Sequence, residues 1–172
     1  MLKKRSIARF DVLSLAIWTS ACSGPMVRTQ YNHSAHFDGI HTYSWSTAEG
    51  AIGEPIPHDP PLDRRIRSAI DGTLQTKGYR LVSPKDADVL LAYFVSSEKK
   101  VDARLENYGV AELMDMTYIL GRLDLIMTRG LPPVEIWKGS VHAHIDMSRP
   151  LEERDKKLRE AAHALLEKFP PK

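Results

Sequence analysis

The chain has 172 residues, one cysteine and a formal net charge of +2. Residues 1–21 alone carry +3, so the part from residue 22 onward is close to −1. A near-neutral domain lacks the clustered basic stripe expected of a nucleic-acid-binding protein, and a single cysteine excludes internal disulfides. The remaining 151 residues suit one domain with its own core. We predict a single domain over 22–172, stabilised by packing, with no nucleic-acid partner.

The N-terminal segment combines basic charge, a short apolar run and the cysteine. The basic residues are Lys3, Lys4, Arg5 and Arg9, the apolar run is Val12 to Trp18, and Thr19, Ser20 and Ala21 lead into Cys22. A basic start, an apolar run of roughly 7–15 residues and small residues at the cut define a secretory signal. The run is too short to cross a membrane, which takes about 20 residues. We predict a lipoprotein signal peptide over 1–21 and lipid attachment at Cys22.

Some residues of this segment depart from the usual lipoprotein pattern. Thr19 stands where Leu is common, Asp11 lies at the edge of the apolar run, and Trp18 is bulky near the cut. They fit inefficient processing or a slightly different start. The alternative to lipidation is an ordinary N-terminal helix with a buried cysteine. The short apolar run, the positive charge on its N-terminal side only and the lack of a second cysteine count against that alternative. Ser23 follows the lipid site, where Asp commonly retains a lipoprotein in the inner membrane. Ser23 therefore predicts an outer-membrane protein that faces the periplasm.

The first half of the domain predicts two strands and a helix. Met26 to Tyr31 alternates with period two, and 42–45 is a second short strand. Residues 46–61 are rich in Gly and Pro and predict a long loop. A helix follows from Pro60, with Asp59 as its cap and Gly78 as its left-handed end. Its apolar positions recur at helical spacing: Leu62, Ile66, Ala69, Ile70 and Leu74.

The second half predicts a buried strand, a hairpin and a closing helix. Residues 88–96 are apolar on both faces, as in a central strand. Residues 97–107 predict a loop or a frayed strand end, and 108–118 are ambiguous. Strands over 122–127 and 134–145 flank a turn at 130–133. The last helix begins near Pro150 and ends before Pro170.

This order predicts an α+β two-layer sandwich. Both helices would pack on one face of a mostly antiparallel sheet. On the other face, Leu90 and Phe94 would then need a cover, either from the 46–61 loop or from a partner.

The ordered segments resemble the bacterial envelope lipoproteins of the domain of unknown function 4136 family. The resemblance rests on the following segments: Tyr31, the run His36 to Trp45, Leu62 to Ile66, Lys77 to Tyr79, Asp86 to Tyr93, Trp137 to Ser140, and Lys168 to Pro171. It spans nearly the whole mature chain, and members of this family typically carry a lipidated cysteine at this position. The resemblance implies no reaction and no catalytic residues. Residues 98–116 differ from the loop rich in Gly and aromatic residues found in many members.

The sequence contains few candidate catalytic or metal-binding residues. His142 and His144 share one face of a predicted strand, but two histidines fall short of the three or four ligands of a zinc site. There is no G-x-S-x-G motif and no phosphate-binding glycine loop. The basic cluster Arg64, Arg65 and Arg67 either forms a solvated helix face, which we favour, or attracts an acidic partner or phospholipid head groups. We predict no cofactor, no bound metal and no catalytic residue.

Two hypotheses follow for function. We favour a non-enzymatic binding or structural module, tethered to the outer membrane through Cys22 and contacting an envelope protein or a small ligand. The alternative is a periplasmic enzyme or metal binder that uses His142 and His144 together with carboxylates near them in space.

Overall fold

The architecture comes from a computed structural model that describes residues 24–46, 60–101 and 117–171. In chain order the elements are β1 (Met26–Tyr31), β2 (Thr42–Trp45), α1 (Pro60–Thr76), β3 (Arg80–Leu81), a 3-10 turn (Pro84–Asp86), β4 (Val89–Val101), β5 (Thr117–Arg129), β6 (Val134–Ile145) and α2 (Leu151–Leu166). The predicted loop over 46–61 and the ambiguous segment 108–118 fall mostly outside these residues, as do Asp59 and Cys22.

Six strands form one sheet in the order β1-β6-β5-β4-β2-β3. The β1–β6, β6–β5 and β5–β4 pairs are antiparallel, whereas β2 pairs in parallel with both β3 and β4. A parallel pair needs a crossover connection, and α1 lies between β2 and β3 in the chain. The sheet is therefore mixed.

Both helices pack on one face of this sheet, which confirms the α+β sandwich. Strands β4 and β5 turn alternate residues to the helices, among them Leu91 and Leu125, which are fully buried. The helices meet them with the predicted stripes, including Ile70 of α1 and Leu165 of α2. On the opposite face Leu90 and Phe94 are half-buried.

The chain end closes the helical layer with an aromatic cluster. Phe169 is buried against Trp137 of β6, with ring centroids 5.3 Å apart, and against Tyr79, at 5.5 Å. The Trp137 ring lies over Gly139, where a Cβ atom would also come within 2.7 Å of Leu165. Gly139 is therefore required by the close approach of α2 and the indole, and not by its backbone angles.

A carboxylate joins the start of β2 to the start of β4. Asp88 accepts hydrogen bonds from the backbone N–H groups of His41 (2.9 Å) and Thr42 (2.8 Å) and from the Thr42 hydroxyl (2.8 Å). These bonds, led by that of His41, lower the pKa of Asp88. The family-like residues Thr42 and Asp88 thus set the parallel register of the two strands.

Most predicted elements agree with the structure, and the differences have physical reasons. Gly78 follows α1 with φ of 91°, which confirms the left-handed end of the helix. Strand β4 continues to Val101 because β5 pairs with it from Leu90 to Val101. The two-residue strand β3 was not predicted, since exposed Arg80 and Leu81 show no alternation and depend on pairing with β2.

No helix in the described ranges combines the length and the apolar character that crossing a membrane requires.

Replacement of Gly139 by Ala should destabilise the domain by about 1–3 kcal/mol, because the added methyl group meets Trp137 and Leu165. Gly72 is the matched control, since it lies in α1 with no atom near its missing Cβ. Gly72→Ala should stabilise by roughly 0.5–1 kcal/mol. Urea unfolding of both variants measures the two effects, and an equal response would contradict this account of Gly139.

Candidate functional site

Helices α1 and α2 lie side by side and run parallel. Near their starts, Arg65 of α1 forms an ion pair with Asp155 of α2. Near their ends, the Lys77 ammonium donates a 2.9 Å hydrogen bond to the carbonyl of Phe169. The first contact joins residues near the starts of both helices, and the second joins residues just after their ends. Both amino-terminal ends therefore lie at the same end of the domain.

A surface groove lies between the first halves of the two helices. We name it the α1–α2 groove; its volume is about 310 Å³ and its lining residues are Pro61, Arg64, Arg65, Ser68, Ala69, Asp155, Leu158 and Arg159. Buried Ala69 and half-buried Leu158 supply apolar surface. Three guanidinium groups and one hydroxyl supply hydrogen-bond donors.

The described lining of the α1–α2 groove carries a net positive charge. Asp155 is the one carboxylate among its described lining residues, and Arg65 already pairs with it. Within the described part of the chain, Arg64 and Arg159 are exposed and engage in no ion pair or hydrogen bond. Two guanidinium groups therefore remain available to an anion from solvent.

The third arginine of the predicted basic cluster faces a different element. Arg67 forms an ion pair with Asp63 at 2.8 Å, and its guanidinium lies 4.7 Å from the ring centroid of Trp45 and 5.8 Å from that of Tyr93. The Tyr93 hydroxyl donates to the same Asp63 carboxylate. Arg67 thus joins α1 to β2 and β4, and the three arginines do not form one solvated face.

One turn further along α1, Asp71 repeats this arrangement. Its carboxylate accepts from the Tyr43 hydroxyl at 2.9 Å and from the Trp45 indole N–H at 3.1 Å. Burial raises the pKa of Asp71, and the two hydrogen bonds oppose that rise. Burial and the adjacent carboxylate also raise the pKa of Tyr43, so the phenol stays protonated as a donor.

These contacts make a structural seam between α1 and the sheet. Asp63, Arg67 and Asp71 recur every four residues, so they form one polar stripe of the helix. Their spacing is visible in the sequence, but the sequence does not show their aromatic partners, which lie on strands distant in the chain. Asp63 and Asp71 both accept hydrogen bonds from aromatic side chains of the sheet, so the seam holds the helix in place.

The predicted histidine pair lies on the face of the sheet away from the helices. His142 pairs across strands with Arg122, and Arg122 forms an ion pair with Asp124. A guanidinium beside His142 disfavours a bound cation. Among the described residues no group of three His, Cys, Asp or Glu side chains could hold a metal ion.

Comparison with known families decides where the chain belongs. The family described as a domain of unknown function, DUF4136, matches residues 27–171. The chain belongs to the DUF4136 family. The match begins at the second residue of β1 and ends after the Phe169 cluster, so it covers nearly all of the described domain. No curated protein sequence matches the chain significantly.

Solved structures share the fold of this DUF4136 domain. A PelC dodecamer from Paraburkholderia phytofirmans superposes with a TM-score of 0.51 and 14% identity, over 83% of this chain and 94% of that one. A PDZ domain protein from Parabacteroides distasonis gives a TM-score of 0.55 and 17% identity, over 87% of this chain. The matched part is only 37% of that longer chain. At these identities the likeness shows the fold alone.

Two substitutions of Asp71 test separately how its hydrogen bonds and its charge affect the stability of the domain. Asp71→Ala should cost about 1–3 kcal/mol, since it leaves the buried Tyr43 hydroxyl without its acceptor. Asp71→Asn keeps an acceptor and should cost less. Because the folded-state pKa is raised, wild-type stability relative to Asp71→Asn should fall as pH rises from about 4. Urea unfolding between pH 4 and 7 tests this, and a relative stability that rises with pH would refute it.

The histidine pair should not bind a divalent metal. We expect Zn²⁺ titration of the full chain to give the same result for wild type and for the His142→Ala, His144→Ala double variant, because two imidazoles beside Arg122 make a poor site. Isothermal calorimetry measures this. Stoichiometric zinc binding that the double variant loses would support the alternative hypothesis.

Proposed function

We propose that this DUF4136 protein is an outer-membrane lipoprotein, lipidated on Cys22, whose domain acts in the periplasm as a non-enzymatic binding or structural module. The observation that carries the proposal is the position of Cys22. It ends a basic and apolar segment typical of a signal peptide, and the family match begins five residues later.

The start of the fold agrees with a short tether. Strand β1 begins at Met26, four residues after Cys22. An extended chain spans at most about 3.3–3.6 Å per residue, so the lipid site is within about 14 Å of the first strand. A lipid on Cys22 would therefore hold the amino-terminal end of β1 close to the membrane surface. A diacylated cysteine provides two acyl chains, which is enough for stable anchoring.

The polar side chains of the domain support a binding or structural role. The carboxylates Asp63, Asp71 and Asp88 are each occupied by hydrogen bonds that join elements of the fold. The α1–α2 groove, in contrast, presents arginine side chains to solvent, and its described carboxylate, Asp155, forms an ion pair with Arg65. PelC, which shares the fold, is a dodecamer, so assembly is a second way in which such a module works.

Loss of the thiol should release the protein from the membrane. In cells that express Cys22→Ala, we expect the protein to lose its lipid mass and to leave the membrane fraction. Ser20→Ala is the matched control, since it keeps the thiol and a small residue before the cut. Fractionation and mass spectrometry of both proteins provide the test. Membrane retention of Cys22→Ala with an unchanged mass would contradict lipidation.

The residue after the lipid site should determine whether the protein is found in the inner or the outer membrane. Ser23→Asp should move the protein from the outer to the inner membrane, because Asp at this position commonly retains lipoproteins there. Ser23→Asn is the control of similar size without the charge. Density-gradient separation of the two membranes measures the distribution, and an unchanged distribution for Ser23→Asp would contradict outer-membrane sorting.

A further inference from the structure

We propose that the α1–α2 groove binds a phosphate group through Arg64 and Arg159. The group would belong to an anionic lipid headgroup or to a soluble phosphate compound. This proposal adds a class of ligand to the binding role that we propose for the domain. Its chemistry rests on the groove alone, and only the choice of a lipid source rests on the proposed anchor.

The electrostatic balance of the groove favours an anion. Among its described lining residues, three arginines stand against one carboxylate, and the Arg65–Asp155 ion pair neutralises two of these charges. This pair is about three-quarters buried, with 26% of the Arg65 side chain and 29% of the Asp155 side chain exposed. It therefore forms a fixed wall of the groove, while the unpaired arginines provide the net positive charge.

The donors suit the geometry of a phosphate. A guanidinium presents paired N–H groups that match two phosphate oxygens, and the groove offers Arg64 from α1 and Arg159 from α2. Ser68, one turn after Arg64, adds a hydroxyl on the same lining. Arginines from two helices can approach one phosphate from two sides.

The size and the apolar floor of the groove indicate that the ligand is an organic phosphate and not a free inorganic ion. A volume of about 310 Å³ exceeds what one inorganic ion fills and lies at the lower end of ligand sites. Ala69 and Leu158 form apolar surface beside the arginines. An aliphatic portion of the ligand would cover this surface while the phosphate contacts the guanidinium groups.

The place of the groove in the fold favours a lipid as the source. Met26 at the start of β1 pairs with His142 near the end of β6. Helix α2 begins six residues after β6 ends, and α1 runs parallel to it. Arg64 and Arg159 lie four and eight residues into their helices, about 6 and 12 Å from the starts. The groove thus lies toward the end of the domain that the Cys22 tether would hold at the membrane.

Calorimetry on the full chain in a neutral detergent tests the proposal. The probes are pyrophosphate, glycerol 3-phosphate and the short-chain lipid dihexanoyl phosphatidic acid, with dihexanoyl phosphatidylcholine as the zwitterionic control. We expect one molar equivalent of at least one phosphate probe to bind. The Arg64→Gln, Arg159→Gln double variant should bind it roughly 100-fold more weakly, since each charge-assisted contact contributes about tenfold.

A second double variant controls for charge. Arg28→Gln, Arg80→Gln removes the same charge from exposed positions on β1 and β3, outside the groove. It should change the affinity by no more than about twofold. The Arg64→Lys, Arg159→Lys variant keeps the charge but loses the paired N–H groups, so its affinity should lie between wild type and the Gln variant.

The outcomes separate the two sources and can overturn the proposal. Phosphatidic acid that binds tenfold or more tightly than both soluble probes supports a lipid headgroup, and any other order supports a soluble phosphate compound. No binding of any phosphate probe, or an equal loss in both double Gln variants, overturns the groove as a phosphate site. Because the measurement does not depend on lipidation, a failed Cys22→Ala test leaves this result intact.

Discussion

The parallel alignment of the two helices is the constraint on which the described structure depends. Arg65–Asp155 near the starts and Lys77 on the Phe169 carbonyl near the ends hold α1 and α2 in register. Between these contacts the apolar stripes cover one face of the sheet. Two parallel helices also bring two positive dipole ends to the same place. The same alignment that completes the core therefore concentrates positive charge at one end of the domain.

Helix α1 has three separate sets of contacts along its circumference. Its apolar stripe packs on the sheet, its Asp63, Arg67 and Asp71 stripe binds the aromatic side chains of β2 and β4, and Arg64 faces the groove. The seam fixes the rotation of the helix about its axis, because each carboxylate meets its own phenol or indole donor. With its rotation fixed, α1 presents Arg64 and Ser68 to α2. The structural seam and the candidate binding groove are thus linked through one helix.

The fold is predictable from the sequence to a greater extent than the candidate site. Local periodicity predicts α1, β6 and α2, because each of them buries one face. The apolar residues of that face recur at regular spacing within one short segment of the chain. The sequence also groups Arg64, Arg65 and Arg67 in one cluster, because they are neighbours along the chain. The structure separates them, because successive helix residues point about 100° apart and meet different elements. Asp155 and Arg159 come from α2, which is about 90 residues away, so no local pattern joined them to α1.

The sequence by itself determined the α+β class, the DUF4136 resemblance and the position of Cys22 before the first strand, since each rests on local patterns and ordered motifs. Only the tertiary structure decided that β2 pairs in parallel with β4 and that Asp71 accepts hydrogen bonds from Tyr43 and Trp45. It also decided that Arg64 and Arg159 line one groove. The physical reason is that these features depend on pairs of residues far apart in the chain. Their distances are set by how the helices cross the sheet, and this depends on the packing of the whole core.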